Sequence, residues 1–259
     1  MFRHGSIHSW WCLLSLSVHL GLYSRGLSLI SLEHLLIYPH LFSFFSLSLS
    51  FSLPFSWTVS DIPISIDTRH AAVAKAAVQA GADIVNDVSG GQFDADMLGT
   101  VAKLNVPMVL MHMRGTPETM QSMTDYSDVV EEVCAAMNER SRAAEEVGIP
   151  RWMQILDPGI GFAKDLEGNL SLLKHFRKLQ EDLGGIPLLL GTSRKGFIGK
   201  VTGETVAAER DWGTVASCVA AICIRTSLSS QSGCHILRVH NVKGMKQATR
   251  TMDAILRAD

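Results

Sequence analysis

Six short apolar runs, each followed by a helical stretch, constrain this chain of 259 residues more than any other feature. The runs are Ile62–Asp67, Ile84–Val85 closing at Asn86–Asp87, Pro107–Met113, Met153–Leu156 closing at Asp157, Pro187–Leu190 and Cys234–Val239. The helical stretches are Ala71–Ala80, Asp94–Leu104, about Tyr126–Val147, one capped by Asn169, about Ala207–Arg225 and about Val242–Leu256. Apolar residues recur on them at helical spacing: Met97, Val101 and Leu104; Val129, Val133, Met137 and Ala144; Leu170, Leu173, Phe176, Leu179 and Leu183; Met245, Met252 and either Ile255 or Leu256. Gly81, Gly148 and Gly184 stop three of the helices. Strands that alternate with helices form a parallel sheet with right-handed crossovers. Runs that are continuously apolar predict strands buried on both faces.

Two architectures meet these terms, an open doubly wound sheet and a (β/α)8 barrel. An open sheet binds a nucleotide through a Gly-rich first turn, and no G-x-G-x-x-G follows any run here. A barrel would use almost the whole chain, yet the six units are two short of eight. The missing places are taken by residues 1–60, which are rich in Leu, Ser and Phe and almost free of charge, with Arg3, Arg25 and Glu33 as exceptions. This segment reads as membrane or secretory, as organelle-targeting, or as sequence outside the fold. The sharp break in composition near Ser60 favours the last. The domain division expected is therefore 1–60 apart from the fold and 61–259 as the folded unit.

A net charge of −2 argues against nucleic acid or a polyanionic surface as the main partner. Five cysteines without a Cys-x-x-Cys pair suggest neither a disulfide framework nor a zinc site.

The polar residues lie where a parallel barrel would use them. Asp67, Asn86, Asp157, Lys195, Arg238 and His240 stand at or just past the C-terminal ends of five strands, ends that converge on one face. Asp157 closes Gln-Ile-Leu-Asp-Pro-Gly-Ile-Gly-Phe-Ala-Lys (154–164), where Pro158, Gly159 and Gly161 forbid continuation of the strand. Alone, such an aspartate is as readily a solvated loop residue; six residues from five strands are harder to ascribe to chance. Asp67, Asn86 and Asp157 accept hydrogen bonds, and a ring edge rich in N–H, such as a pterin or purine, would match them. Arg194, Lys195, Arg238 and His240 form a cationic group at the last two strands, a frequent phosphate corner in barrels. The flanking Gly191 and Gly196 would let a ligand approach the backbone closely.

The runs Pro-Ile-Ser-Ile-Asp-Thr (63–68), Ile-Val-Asn-Asp-Val-Ser-Gly (84–90), Leu-Met-His-Met (110–113), Leu-Asp-Pro-Gly-Ile-Gly-Phe (156–162), Gly-Thr-Ser-Arg-Lys-Gly-Phe (191–197) and Arg-Val-His-Asn-Val (238–242), in this order, resemble dihydropteroate synthase. They look most like the synthase half of the plant bifunctional enzyme, relative to which the chain reads as N-terminally incomplete. The resemblance implies a TIM (β/α)8-type barrel with strands 3–8 recognisable. It implies a transferase that condenses (7,8-dihydropterin-6-yl)methyl diphosphate with 4-aminobenzoate, giving 7,8-dihydropteroate and diphosphate. By the same resemblance Asp67, Asn86, Asp157 and Lys195 would hold the pterin, Phe162, Ser193 and Lys195 would border the aminobenzoate pocket, and Met111 and Arg194 would be further substrate-binding residues. Arg238 and His240 would take the diphosphate, with Asp67, Lys195, Arg238 and His240 as the catalytic set. It further implies Mg2+, a mitochondrial or cytoplasmic location and no membrane or nucleic-acid partner, and leaves a homodimer open.

Two departures stand out. The family's first strand ends in Asn-Val-Thr-Pro-Asp-Ser-Phe-Ser, with an asparagine near magnesium, and its second in a Gly-Gly-x-Ser-Thr-Arg-Pro loop; neither appears in this sequence. Residues 225–232 interrupt the approach to the last strand with a Ser-rich run. A related methyltransferase domain would share the Asp, Asn and Asp, but the Ser-Arg-Lys and Arg-Val-His runs argue against it, because a methyl donor brings no diphosphate. A non-catalytic pterin-binding chain is the other alternative.

Overall fold

The computed structural model describes residues 11–12, 15–16, 63–223 and 234–258. Its centre is a parallel sheet of very short strands. β1 (Trp11–Cys12) and β2 (Ser15–Leu16) come first, followed by β3 (Ser65–Asp67), β4 (Ile84–Asp87), β5 (Met108–Met111), β6 (Gln154–Asp157), β7 (Leu189–Leu190) and β8 (Ile236–Leu237). The hydrogen-bonded orders are β2-β3-β4-β5-β6 and β1-β8-β7, all parallel, and a bridge from Leu156 to Leu188 joins β6 to the second group. The joined order begins and ends on β1 and β2, two segments that are chain neighbours, so the sheet curls back toward itself as a barrel does. The sequence reading assigns no strand to residues 1–60. Four of them are paired as strand in the structure, with Ser65–Ile66 and with Ile236–Leu237.

From β3 on, each strand is followed by helix. α1 (Ala71–Gln79) follows β3, α2 (Met97–Leu104) follows β4, and α3 (Val129–Glu146) follows β5. α4 (Leu166–Lys174) and α5 (Phe176–Asp182) follow β6, α6 (Gly196–Thr202) and α7 (Asp211–Cys223) follow β7, and α8 (Val242–Arg257) follows β8. The helical faces read from spacing are largely the packed ones: Met97, Val101, Val133, Met137, Ala144, Phe176, Leu179, Leu183 and Met245 are buried. On α8 it is Leu256 that packs on the core, while Ile255 is exposed. All four residues of β5 are buried, as a strand covered by helices on one side and by opposing strands on the other requires.

Three expectations change. Asn169 does not cap its helix. Asp165 does, accepting from the Gly168 N–H at 2.7 Å, and Asn169 lies buried one turn inside. The helix expected to reach Leu183 is two, α4 and α5, hinged at His175, and Leu170 faces outward. α6 was not legible in the sequence, because its seven residues include two glycines and carry a glycine stop. The Ser-rich run 225–232 lies outside the described residues.

Candidate active site

Sheet register assembles the first part of the site. β3 and β4 pair with Asp67 opposite Asn86, and β5 and β6 pair with Met111 opposite Asp157. Parallel strands in register bring their C-terminal residues to one rim, so four of the expected residues share one face by backbone geometry alone. The Asn86 Nδ2 donates to Asp67 Oδ1. Arg238, 171 residues further along, donates from a terminal guanidinium nitrogen to Asp67 Oδ2 at 2.6 Å. Asp67 thus stands between a neutral donor on β4 and a cation just after β8, its side chain 12% exposed.

Asp157 is more enclosed. Burial raises its pKa from the usual carboxylate value, and the charges of Lys195, Lys164 and Arg238 and an N–H from Gly159 (2.7 Å) pull the other way. The Lys195 ammonium donates to the Ile160 carbonyl and stands 4.6 Å from the centre of the Phe162 ring. Burial lowers the Lys195 pKa to about 8, with Asp157 opposing the shift. Gly161, at φ +83°, lies under the Lys195 stem, where an added Cβ would come within 3.1 Å of Cδ. A Cβ on Gly191 would lie 3.8 Å from the Lys195 Nζ and 3.9 Å from the Arg238 Cβ, so the two cations flank this glycine. The rim therefore offers two carboxylates and an amide beside two cations. That arrangement can hold a flat heterocycle by its N–H edge and an anion beyond it.

The cationic corner is organised differently from the reading above. Ser193 Oγ accepts from the His240 backbone N–H at 3.1 Å and lies at hydrogen-bond distance, 2.7 Å, from the Nδ1 of the His240 ring. Arg194 adopts φ +59° and turns its guanidinium to Asp211, which it meets at 2.8 and 3.1 Å. The structure thus pairs Arg194 with Asp211. Asp211 also accepts from Asn241 (3.1 Å), whose side-chain oxygen caps α8 by taking the Gly244 N–H at 2.9 Å. One carboxylate on α7 therefore ties the loop after β7 to the loop after β8.

Several residues that shape the site carried no sequence assignment. Asp87 is fully buried and takes the Ser89 N–H, the Ser89 hydroxyl and the Gly91 N–H at 2.7–2.8 Å, which shapes the turn after β4. Arg140, on α3, donates to the Met111 and Met113 carbonyls past the end of β5. Lys164 lies buried against His112 at 2.9 Å. The Asp-x-Ser-Gly-Gly run pointed to the first of these; single cations on helix or loop gave no signal for the others.

The comparisons follow the geometry. Residues 55–240 match the family model described as "Pterin binding enzyme". A dihydropteroate synthase of Synechocystis is 45% identical over 197 residues, covering 76% of this chain and 65% of its own length. A folate synthesis bifunctional protein of Arabidopsis thaliana is 42% identical over 202 residues, covering 74% of this chain and 40% of its own length. These curated relatives are thus matched over less than two thirds of their length. The crystal structure of dihydropteroate synthase from Thermus thermophilus in complex with 4-aminobenzoate superposes with a TM-score of 0.68 at 38% identity, covering 75% of this chain and 71% of that one. The same bacterial protein has been solved in complex with 6HMPPP. The rolled parallel sheet is the TIM-barrel architecture of these neighbours, and the chain belongs to the pterin-binding enzyme family, in its dihydropteroate synthase branch.

Proposed function

We propose that residues 61–259 form a dihydropteroate synthase domain that joins (7,8-dihydropterin-6-yl)methyl diphosphate to 4-aminobenzoate. The observation that carries this is the convergence of Asp67, Asn86 and Asp157 with Lys195 and Arg238 on one rim. Asp157 and Asn86 would take the pterin edge, with Met111 beneath it. The carbon–oxygen bond to diphosphate breaks, its electron pair leaves with the phosphate, and positive charge grows on the pterin methylene. Asp67 would stabilise that charge while Arg238 and His240 hold the leaving anion. The neutral arylamine, bordered by Phe162, Ser193 and Lys195, attacks the methylene carbon and releases one proton. The aniline nitrogen is nucleophilic at neutral pH, so the step needs no strong base.

Magnesium comes from the family resemblance. Among the described residues no group of three His, Cys, Asp or Glu gathers to hold a metal, and the anion corner presents Arg238, His240 and Ser193. Those donors fit an anion better than a dication, and no step is drawn through the metal. No described helix is long and apolar enough to cross a membrane. Two plant relatives are named mitochondrial, and a mitochondrial or cytoplasmic location is our reading for this chain.

A second reading, pterin binding without turnover, is favoured by one observation. The family's Asn-Val-Thr-Pro-Asp and Gly-Gly-x-Ser-Thr-Arg-Pro loops appear nowhere in this sequence. The test is to assay the purified chain with both substrates and magnesium beside a chimera. In the chimera, residues 1–60 are replaced by the first two strand–helix units of a plant synthase. We expect pterin binding by both proteins and dihydropteroate with diphosphate from the chimera, with turnover by the parent lower by orders of magnitude. Equal turnover would show that the parent's own N-terminal residues suffice. Absence of pterin binding in both proteins would reject the domain's function.

A further inference from the structure

The turn after β6 has one backbone hydrogen bond of its own, from the Phe162 N–H to the Gly159 carbonyl at 3.0 Å. Gly159, Gly161 and Ala163 all adopt positive φ (68°, 83° and 51°), a conformation that is strained for Ala163. An added Cβ on Gly159 would lie 2.0 Å from the His112 carbonyl oxygen, so the turn presses directly on the end of β5. Asn169 takes the Gly161 N–H and the Tyr126 hydroxyl donates to the Ala163 carbonyl, and Lys164 ties the turn to β5, its side chain reaching back under it. Its ammonium donates to the Phe162 carbonyl at 2.9 Å, the Gly159 carbonyl at 3.1 Å and the His112 Nδ1 at 2.9 Å. All three protons are used, and the residue is 3% exposed. His112 is buried too, and burial with the neighbouring cations lowers its pKa to about 2, so the neutral ring is the acceptor and the lysine the donor.

Three neutral hydrogen bonds would close such a turn, and a buried cation is a costly substitute. The Asp157 carboxylate favours the charge from nearby, without an ion-pair contact. We infer that Lys164 is a positioning residue for the pterin site: its ammonium ties the turn that carries Gly159, Ile160 and Phe162 to His112 at the end of β5, and pterin affinity falls as the lysine loses its proton. The inference rests on the pterin-binding reading above. The charged and titratable groups around Lys164 are Asp157 on β6, His112 and Arg114 beyond β5, Arg140 on α3 and Lys195 beyond β7. Burial first, and then the cations, bring its pKa down to about 7, while Asp157 raises it. Below that value the clamp is charged. Above it one donor and the counter-charge are lost, and Asp157 becomes easier to protonate.

The test is calorimetric titration of a pterin into the whole chain and into Lys164→Met and Lys164→Gln, from pH 5.5 to 8.5. At pH 6 both variants should bind about tenfold or more weakly than the parent. The parent-to-variant ratio should shrink by pH 8.5 without reaching one, because the neutral amine keeps two donors, and the comparison cancels the pterin's own ionisation. Lys164→Arg, charged throughout, should not show the decline that the parent shows above pH 7 through this lysine. A purely structural lysine would lower the melting temperature and leave the ratio constant with pH. That constant ratio, or equal affinity at pH 6, overturns the inference, and if the methionine and glutamine variants do not fold, an arginine variant with the parent's pH slope does so. A parent chain that binds no pterin at any pH would instead reject the functional reading on which the inference stands.

Discussion

The two halves of the site are built on different principles. On the floor, Asp67, Asn86 and Asp157 are placed by sheet register, at the ends of strands whose other side chains are buried except for the partly buried Ile84 and Ile155. At the anion corner, Ser193, Arg194 and His240 lie on loops, and a relay of side chains through Asp211 and Asn241 sets their positions. Register is enforced by every buried residue of a strand at once, since a one-residue slip would turn its core side chains outward. A relay is enforced by two or three hydrogen bonds that solvent reaches. The floor should therefore lose ligand affinity without losing fold when a polar group is changed, whereas the corner should lose local order together with affinity.

Asp157→Asn tests the floor with the largest effect. A donor would face the donors of the ligand, and about 2–4 kcal/mol of pterin binding should go, measured by calorimetry. The fold should not suffer. The folded-state pKa of Asp157 is raised, so the native chain binds more protons than the unfolded one, and ionising this carboxylate costs stability as pH rises above about 4. A melting temperature at pH 7 equal to or above the parent's is expected, and a clear drop would mean that Asp157 holds structure and not ligand.

Arg238→Ala comes next. It should weaken diphosphate binding about tenfold and flatten its dependence on salt, because an exposed cation acting on an anion is screened. Diphosphate binding as tight as the parent's would reduce the corner to a surface patch. Asp211→Asn should act less strongly, costing at most about 1 kcal/mol, since its ion pair with Arg194 is partly in water. The Arg194 guanidinium beside it lowers the Asp211 pKa, so this contribution is present at neutral pH and is lost as pH falls below about 4. A parent whose melting temperature falls in acid no faster than the variant's would remove Asp211 from the relay. Lys178→Gln, which breaks an exposed i,i+4 pair with Asp182 on α5 far from both halves, should leave melting and binding unchanged, and a shift in either would mean that the helix surface matters more than its solvation suggests.

Much of the fold was legible because burial leaves a period. The continuous runs became β3 to β8 within a few residues, since a strand covered on both faces has no polar side to display. The helix faces of α2, α3 and α8 were legible for the same reason at the helical period. What failed was local chemistry that several residues could perform. Asp165 and Asn169 both make good caps, and only the packed position of the helix start chose the aspartate. The two-residue strands in the first segment left no trace, because pairs as short as Trp11–Cys12 and Ser15–Leu16 carry no period.

That Asp67, Asn86, Asp157, Lys195, Arg238 and His240 would gather at one rim of a parallel barrel was legible in the chain alone, because each lies at or just past the end of an apolar run and all such ends in a parallel sheet point one way. Their partners were set by the packing of distant segments. Arg194 and Lys195 are adjacent cations between the same glycines, yet the left-handed backbone at Arg194 sends it out to Asp211 while Lys195 turns in toward Asp157. Lys164 carries no mark in the sequence, and its burial against His112 comes from the packing of the turn after β6 on the end of β5. Periodicity reports how deeply a residue is buried, one element at a time. A contact such as Asp67 with Arg238, made across 171 residues, forms only when the first and last strands of the domain are brought around to the same rim.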